Sequence, residues 1–512
     1  MFSKVLSATI DGARCVPVCV EADVSNGLPM FSMVGDLTSQ VKEAQERVRT
    51  AIKNMGITIP AKRITVNLSP ADIRKAGSRF DLPIAAALLA AFGLIEKEKL
   101  EGVMLAGELG LDGKVNPVSG ILPLAEVARE SGCTLCVVPE KNYREAAAVG
   151  RIPVLAVHSL SHFLECAGKE NWGVDKDPEP FVFSEGRDSL YRDFSDIQGQ
   201  EHAKRAAVIA AAGFHNFLMT GPRGTGKTMI ARRIPGILPA LSREEQLEIS
   251  RVYSIAGLLT EERPFLTSRP FRAPHHTITP AALAGGGKYP RPGEITLAHR
   301  GILFLDEFPE FSHDAIEILR QPLEERSITI SRMGASFVFP ADFMFVAAMN
   351  HCPCGHYPNL NHCTCTGAEI SRYKNRISGP VMDRIDICAE VSGVSYEELS
   401  GRKKGKTSRE LQKEVEKAVA IQKDRYEEKY KNRGIFFNSQ LRGDLIPRYC
   451  ETGREAARIL EKAYEKMNLS ARSYHKILKT ARTIADLEGE TLIKEAHISE
   501  ALCYRETGGN MR

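Results

Sequence analysis

The segment "NFLMTGPRGTGKTMIARRI" (216–234) constrains the fold of this chain more than any other. It contains G-x-x-x-x-G-K-[ST] as Gly221, Gly226, Lys227 and Thr228, with Gly224 between the outer glycines. An apolar run precedes it and a helix-like segment follows, which is the setting this motif requires. Glycines let successive backbone N–H groups curl toward phosphate oxygens, while a new helix offers its positive end. Lys227 is placed to reach the terminal phosphates of ATP, and Thr228 to ligate Mg²⁺. The strand–loop–helix then calls for a parallel sheet flanked by helices, an α/β core.

Two further apolar runs end in chemically useful residues. "GILFLDEF" (301–308) is a strand ending in Asp306 and Glu307. Asp306 is the expected Mg²⁺ holder, and Glu307 the general base for an attacking water. An acidic helix cap is the plainer reading of the same pair. "FMFVAAMN" (343–350) ends in Asn350, which is suited to orient that water, or to make a simple Asx turn. "SGPVMDRIDI" (378–387) sets Arg384 between two aspartates. An arginine there either pairs within the chain or reaches a γ-phosphate, often a neighbouring subunit's. Arg472, in "LSARSYHKIL", heads a C-terminal helix and either touches phosphate in the same way or is a plain surface arginine.

At 512 residues the chain is long enough for several folding units. Residues 1–167 alternate strand-like and helical runs. "VPVCVEADV" (16–24) and "KRITVNL" (62–68) read as strands, "SQVKEAQERVRTAIKNMG" (39–56) and "DLPIAAALLAAFG" (81–93) as helices. Residues 168–192 carry Gly, Pro and charge without periodicity and read as a linker; 193–402 hold the α/β core; 403–512 are helical. No apolar run reaches the ~20 residues of a membrane span, and no secretory leader is visible. Twelve cysteines are scattered rather than framed as a disulfide scaffold, so the reducing cytoplasm is the expected compartment. The net charge of +4 is too small at this length to argue for nucleic acid by itself.

The order of P-loop, Asp-Glu strand, terminal asparagine and arginine resembles an AAA+ ATPase. "RPFRAPHHTITPAALAGGGKYPRPGEITLAHRGILFLDE" (269–307), "RISGPVMDRIDI" (376–387) and "KILKTARTIADLEG" (476–489) resemble the magnesium-chelatase-like AAA+ proteins of the ComM/YifB type. The resemblance implies a homo-hexameric ring, with Arg384 as a finger in trans, Arg472 as a sensor in a C-terminal α-helical lid, and Ile197 near adenine. It implies an insertion around 269–296 and a pore hairpin within "SITISRMGASFVFPADF" (327–343), whose Arg332 is the candidate DNA contact. The function implied is an ATP-driven DNA motor, of the branch-migration type used in natural transformation, on single-stranded or branched DNA. The alternative is a chelatase-like remodeller of a protein partner. "KAGSRFDLPIAAALLAAFGL" (75–94) and "LAGELGLDGKVNPVSGILPLAEVARESG" (105–132) resemble the Lon-protease-like domain fold. Peptide hydrolysis there needs a serine activated by a lysine. Arg79 and Leu122 stand at those positions, although Ser78 is adjacent, so protease chemistry is not expected.

"MNHCPCGHYPNLNHCTCT" (349–366) groups Cys352, Cys354, Cys363 and Cys365 as two C-x-C pairs. Four thiolates can wrap one tetrahedral Zn²⁺ and leave it no open position, so a metal here is structural. A metal-free thiol loop is the alternative. His275-His276 is read as structural or DNA-facing rather than metal-binding. Cys133 and Cys136 form a C-x-x-C without a thioredoxin-like setting and read as buried thiols. The basic run "GRKKGKTSRELQK" (401–413) suits either phosphate contacts or a solvated face.

Overall fold

The structure, a computed structural model, describes residues 1–174, 193–287, 290–332, 335–394, 396, 405–430 and 435–505. The P-loop sits on a sheet of five parallel strands. Their order across the sheet is Phe271–Arg272, Ile302–Leu305, Met344–Met349, Phe217–Thr220, Ile387–Glu390. The register aligns Thr220 with Met349 on one side and Glu390 on the other. Gly221 and Asn350 therefore leave the sheet side by side, and Asp306 follows Leu305 at the same edge. The first strand in sequence lies between two late ones, and ligands of open α/β sheets bind at such a reversal, outside the carboxyl ends. Every residue of Ile302–Leu305 and Met344–Met349 is buried. That unbroken apolar character follows from helices covering both faces of the sheet.

The C-terminal helices Ser408–Tyr430, Arg454–Lys466 and Ala471–Leu487 share one apolar core with the helix Glu201–Gly213 and the P-loop strand. Polar contacts fix this packing. Gln422 Nε2 donates to the Ala212 carbonyl at 3.0 Å, His215 meets Thr483 at 2.8 Å, and Arg205 grips Glu500 at 2.8 and 3.1 Å. The expected helical C-terminus is present: these helices pack beside the sheet and, among the described residues, none lines the cavity at the P-loop.

Residues before the linker build a seven-stranded sheet in the order Met30–Val34, Arg63–Ser69, Arg14–Ser25, Phe2–Asp11, Val103–Leu105, Leu135–Pro139, Val154–Val157. The helix Asp81–Ala91 is buried along its whole length, as a helix apolar on every face beyond its first residue must be. Its one carboxylate, Asp81, is held bidentately by Arg47 at 2.7 and 3.0 Å. The helix expected over 39–56 divides into Ser39–Lys42 and Ala44–Asn54, with Glu43 at the junction. Arg79 and Leu122 are both buried, and the Ser78 hydroxyl donates to Glu108. Cys136 lies buried in the strand Leu135–Pro139. This unit docks on the helix Arg243–Ala256: Arg251 forks onto Glu126 at 2.6 and 2.8 Å, and the Gly120 N–H donates to the Ser254 carbonyl at 2.9 Å.

Residues 175–192 of the expected linker and 401–404 of the basic run lie outside the described residues. The insertion expected over 269–296 begins as part of the main sheet, because Phe271–Arg272 is its edge strand. The rest forms the helix Pro280–Ala284, the paired strands Gly285–Gly286 and Arg291–Pro292, and the helix Glu294–Leu297. The hairpin Ser327–Arg332 with Ala335–Pro340 is antiparallel, in register from Ser327–Pro340 to Arg332–Ala335. The Arg332 side chain and residues 333–334 lie outside the described residues.

Candidate nucleotide site

The P-loop wraps a cavity of about 380 Å³ lined by residues 223–229, Asp306, Glu307 and 348–350. Two glycines are required by geometry. A Cβ on Gly221 would stand 2.2 Å from the Val391 carbonyl oxygen, and Gly226 turns at φ +92° into the helix Lys227–Ala231.

Lys227 is 8% exposed and lies folded along its own loop. Its Nζ donates to the carbonyls of Gly221 and Pro222, each at 2.7 Å, and to Asn350 Oδ1 at 3.1 Å. Burial pulls this ammonium down to about 8, with Asp306 opposing the shift. A buried cation met mainly by neutral oxygens gains from an incoming polyanion, which restores the charge balance that burial removed. Thr228 Oγ1 donates to Asp306 Oδ2 at 2.6 Å. This hydroxyl–carboxylate pair fits the hard-oxygen preference of Mg²⁺.

Asp306 Oδ1 accepts the Glu307 N–H at 3.0 Å, which turns the backbone sharply. Glu307 sits at φ +51°, a left-handed conformation that a non-glycine residue adopts at a cost. The turn keeps its carboxylate at the cavity wall, half-exposed. Its Oε2 faces His276 Nδ1 at 3.7 Å. The His276 ring lies 4.0 Å from that of His275 and meets Phe311 edge-on at 6.4 Å. Sequence reasoning missed this contact. The histidine pair was visible, but only the fold brings it to Glu307.

Arg384 precedes the strand Ile387–Glu390, so it sits at the sheet edge opposite the P-loop. The four-residue strands alone separate the edges by roughly 13 Å. Its guanidinium bonds to Glu324, not to a flanking aspartate. Arg384 and Arg472 line a second cavity, of about 310 Å³, together with Arg326, Arg442, Lys476 and Lys479. Arg472 is thus placed with Arg384 and does not line the P-loop cavity of its own chain. Ile197 is 3% exposed in the apolar core, packed in the same cluster as Phe194, and does not line that cavity either.

The four cysteines of the loop after Asn350 do converge. Their sulfurs lie within 4.8 Å of one another, so they could hold a metal ion. The loop also touches the P-loop, since the Gly355 carbonyl accepts the Arg223 N–H at 3.0 Å. Among the described residues, no helix is long and apolar enough to cross a membrane.

Three family models match the chain in succession. "Subunit ChlI of Mg-chelatase" covers 20–142, "Magnesium chelatase, subunit ChlI" covers 193–399, and "Magnesium chelatase, subunit ChlI C-terminal" covers 405–505. Competence protein ComM of Haemophilus influenzae is 43% identical over 500 residues, spanning 96% of this chain and 95% of that one. The chain belongs to the ComM/YifB-type magnesium-chelatase-like family. YifB of Salmonella typhimurium is 42% identical over 499 residues, with 96% and 95% covered. The magnesium-chelatase 38 kDa subunit of Cereibacter sphaeroides is 28% identical over 173 residues, 31% of this chain and 52% of that one. The family is one of AAA+ ATPases that use ATP and Mg²⁺, which agrees with the P-loop sheet described above.

Proposed function

We propose that this ComM/YifB-type chain is an ATP-driven DNA motor of the branch-migration type, acting as a homo-hexamer in the cytoplasm. The observation that carries the reading is the pairing of a complete P-loop site with similarity, along nearly the whole chain, to a protein named for competence. In this reading Gly221, Gly224 and Gly226 admit the triphosphate, and Lys227 leaves its carbonyl partners to hold the terminal phosphates. Thr228 and Asp306 hold Mg²⁺, which supplies charge neutralisation when bound. Glu307 takes the proton of the attacking water, and Asn350 orients that water. Ile197 packs toward adenine.

Arg384 and Arg472 act on the ATP of the neighbouring subunit. Their location at the edge away from their own P-loop supports this role. The hairpin Ser327–Pro340 leads into the strand Met344–Met349 that ends at Asn350, so one continuous segment links Asn350 to Arg332 and a DNA backbone. The four cysteines hold a structural Zn²⁺. The first unit, with its Lon-protease-like resemblance, serves binding or assembly rather than peptide hydrolysis.

A chelatase-like remodeller of a protein partner is the second reading, favoured by the descriptions of the matching family models. The fuller coverage of ComM weighs against it. ATP turnover with and without single-stranded DNA at low salt tests the choice. The motor reading expects stimulation that Arg332→Ala removes; turnover indifferent to DNA, with no DNA binding, overturns it.

A further inference from the structure

The cysteine loop is built like an occupied metal site. Cys352 Sγ lies 3.3 Å from Cys354 Sγ and 3.8 Å from Cys363 Sγ, and Cys354 Sγ lies 3.6 Å from Cys363 Sγ. A tetrahedron of sulfurs around Zn²⁺, at Zn–S distances of ~2.3 Å, has edges of about 3.8 Å. A disulfide would bring one pair to about 2.05 Å. The Tyr357 N–H donates to Cys352 Sγ at 3.4 Å, the kind of contact that spreads the charge of a thiolate ligand. Cys352 is fully buried, and Cys354, Cys363 and Cys365 are half-buried.

Two bonds join this loop to the ATP site. The Gly355 carbonyl lies between the two cysteine pairs and receives the N–H of Arg223, inside the P-loop. Asn350, two residues before Cys352, receives Lys227 Nζ. Gly355 turns at φ +81°, and a Cβ there would stand 2.4 Å from Arg223 Cγ. The loop and the P-loop are therefore in close contact, with no room between them for a side chain. The loop carries few apolar residues of its own, and Leu360 is exposed. Cross-linking by a metal is what would fix its shape.

We infer that one Zn²⁺ on Cys352, Cys354, Cys363 and Cys365 sets the conformation of the P-loop, so that metal occupancy governs nucleotide affinity. The inference rests on the reading of residues 221–228 as the ATP site. Binding converts the four thiols to thiolates, and their protons pass to solvent. With metal bound, the Gly355 carbonyl and Asn350 are presented to Arg223 and Lys227 in fixed positions. Without it, the loop relaxes and both contacts weaken.

The test uses the full chain and measures zinc content and the Kd for a fluorescent ADP analogue. The native protein is expected to hold one zinc per chain. Stripping with a chelator should weaken nucleotide binding roughly tenfold, the usual scale for loss of a supporting shell, and added Zn²⁺ should restore it. Cys363→Ser should behave as stripped protein. Gly355→Ala leaves all four sulfurs in place but forces the loop off Arg223; it should keep zinc and still bind nucleotide more weakly. Circular dichroism of each protein identifies any loss of fold. A folded native protein without zinc, under reducing conditions with Zn²⁺ supplied, overturns the metal site. Zinc bound, with stripped protein and Gly355→Ala both binding nucleotide as the native protein does, overturns the coupling. Failure of the ATP-site reading is distinguished by Lys227→Ala: if that variant binds nucleotide normally, the site lies elsewhere.

Discussion

Lys227, first residue of the helix after the P-loop, and Asn350, just past the strand Met344–Met349, are joined by an ammonium–amide hydrogen bond of 3.1 Å. The bond puts the residue that meets phosphate in contact with the residue proposed to orient water. Arrival of a triphosphate must redistribute it, because Lys227 cannot keep all three of its oxygen partners and also serve phosphate. Asn350→Ala should therefore leave nucleotide affinity within a few-fold of normal and lower kcat on the order of a hundredfold, the scale for losing one positioned polar group. Steady-state turnover alongside equilibrium nucleotide binding checks the split.

His276 belongs to a segment that runs from the edge strand, yet it faces the Glu307 carboxylate at 3.7 Å. It is placed to hold Glu307 in one rotamer while the strained backbone at φ +51° holds its base. His276→Ala should cut kcat about tenfold or more with little change in KM, since small misplacements of a reacting group are costly. His276→Asn should recover part of the loss. A fall in nucleotide affinity instead would indicate general damage to the site.

Arg384 and its own P-loop lie at opposite sheet edges. Arg384→Ala should lower turnover by about a thousandfold or more, the scale of an arginine finger, and leave nucleotide binding by the isolated subunit intact. Mixing Arg384→Ala with Lys227→Ala chains, each inactive alone, should restore partial turnover, because some interfaces then combine an intact Lys227 with an intact Arg384. The ATPase rate as a function of mixing ratio provides the check.

Asp386 lies beneath the second cavity, accepting the Asn216 N–H at 3.1 Å, with His215 at 3.5 Å and Lys479 at 3.9 Å. Burial alone would raise its carboxyl, but Lys479 and His215 outweigh burial and hold it well below the usual carboxylate range. A depressed folded pKa stabilises the fold above the unfolded value of about 3.9. That contribution is lost as pH falls through the folded value. Asp386→Asn leaves Lys479 buried without its counter-charge and should destabilise by about 3–5 kcal/mol at neutral pH. Thermal melts should show the gap between variant and native protein narrowing only below about pH 4.

The P-loop, the Asp-Glu strand and Asn350 were legible because each is a local pattern, an apolar run that stops at a polar residue. The strands expected at 216–220, 301–307 and 343–350 appear as Phe217–Thr220, Ile302–Leu305 and Met344–Met349. What the sequence left open depends on how the chain returns to itself. The side of the sheet on which Arg472 falls is decided by packing of the C-terminal helices on Glu201–Gly213, and no periodicity encodes that choice. Phe271–Arg272 was read as insertion because two residues carry too little pattern to announce an edge strand. The Gly355–Arg223 contact is made by backbone atoms, which leave no mark on residue type beyond the glycine itself.

Unwinding of a branched DNA substrate by the purified full-length chain tests the account most directly. With ATP and Mg²⁺, strand exchange at the branch should proceed, and Glu307→Gln should bind ATP and DNA yet leave the branch unmoved. A native protein that hydrolyses ATP but neither binds nor moves branched DNA would contradict the account.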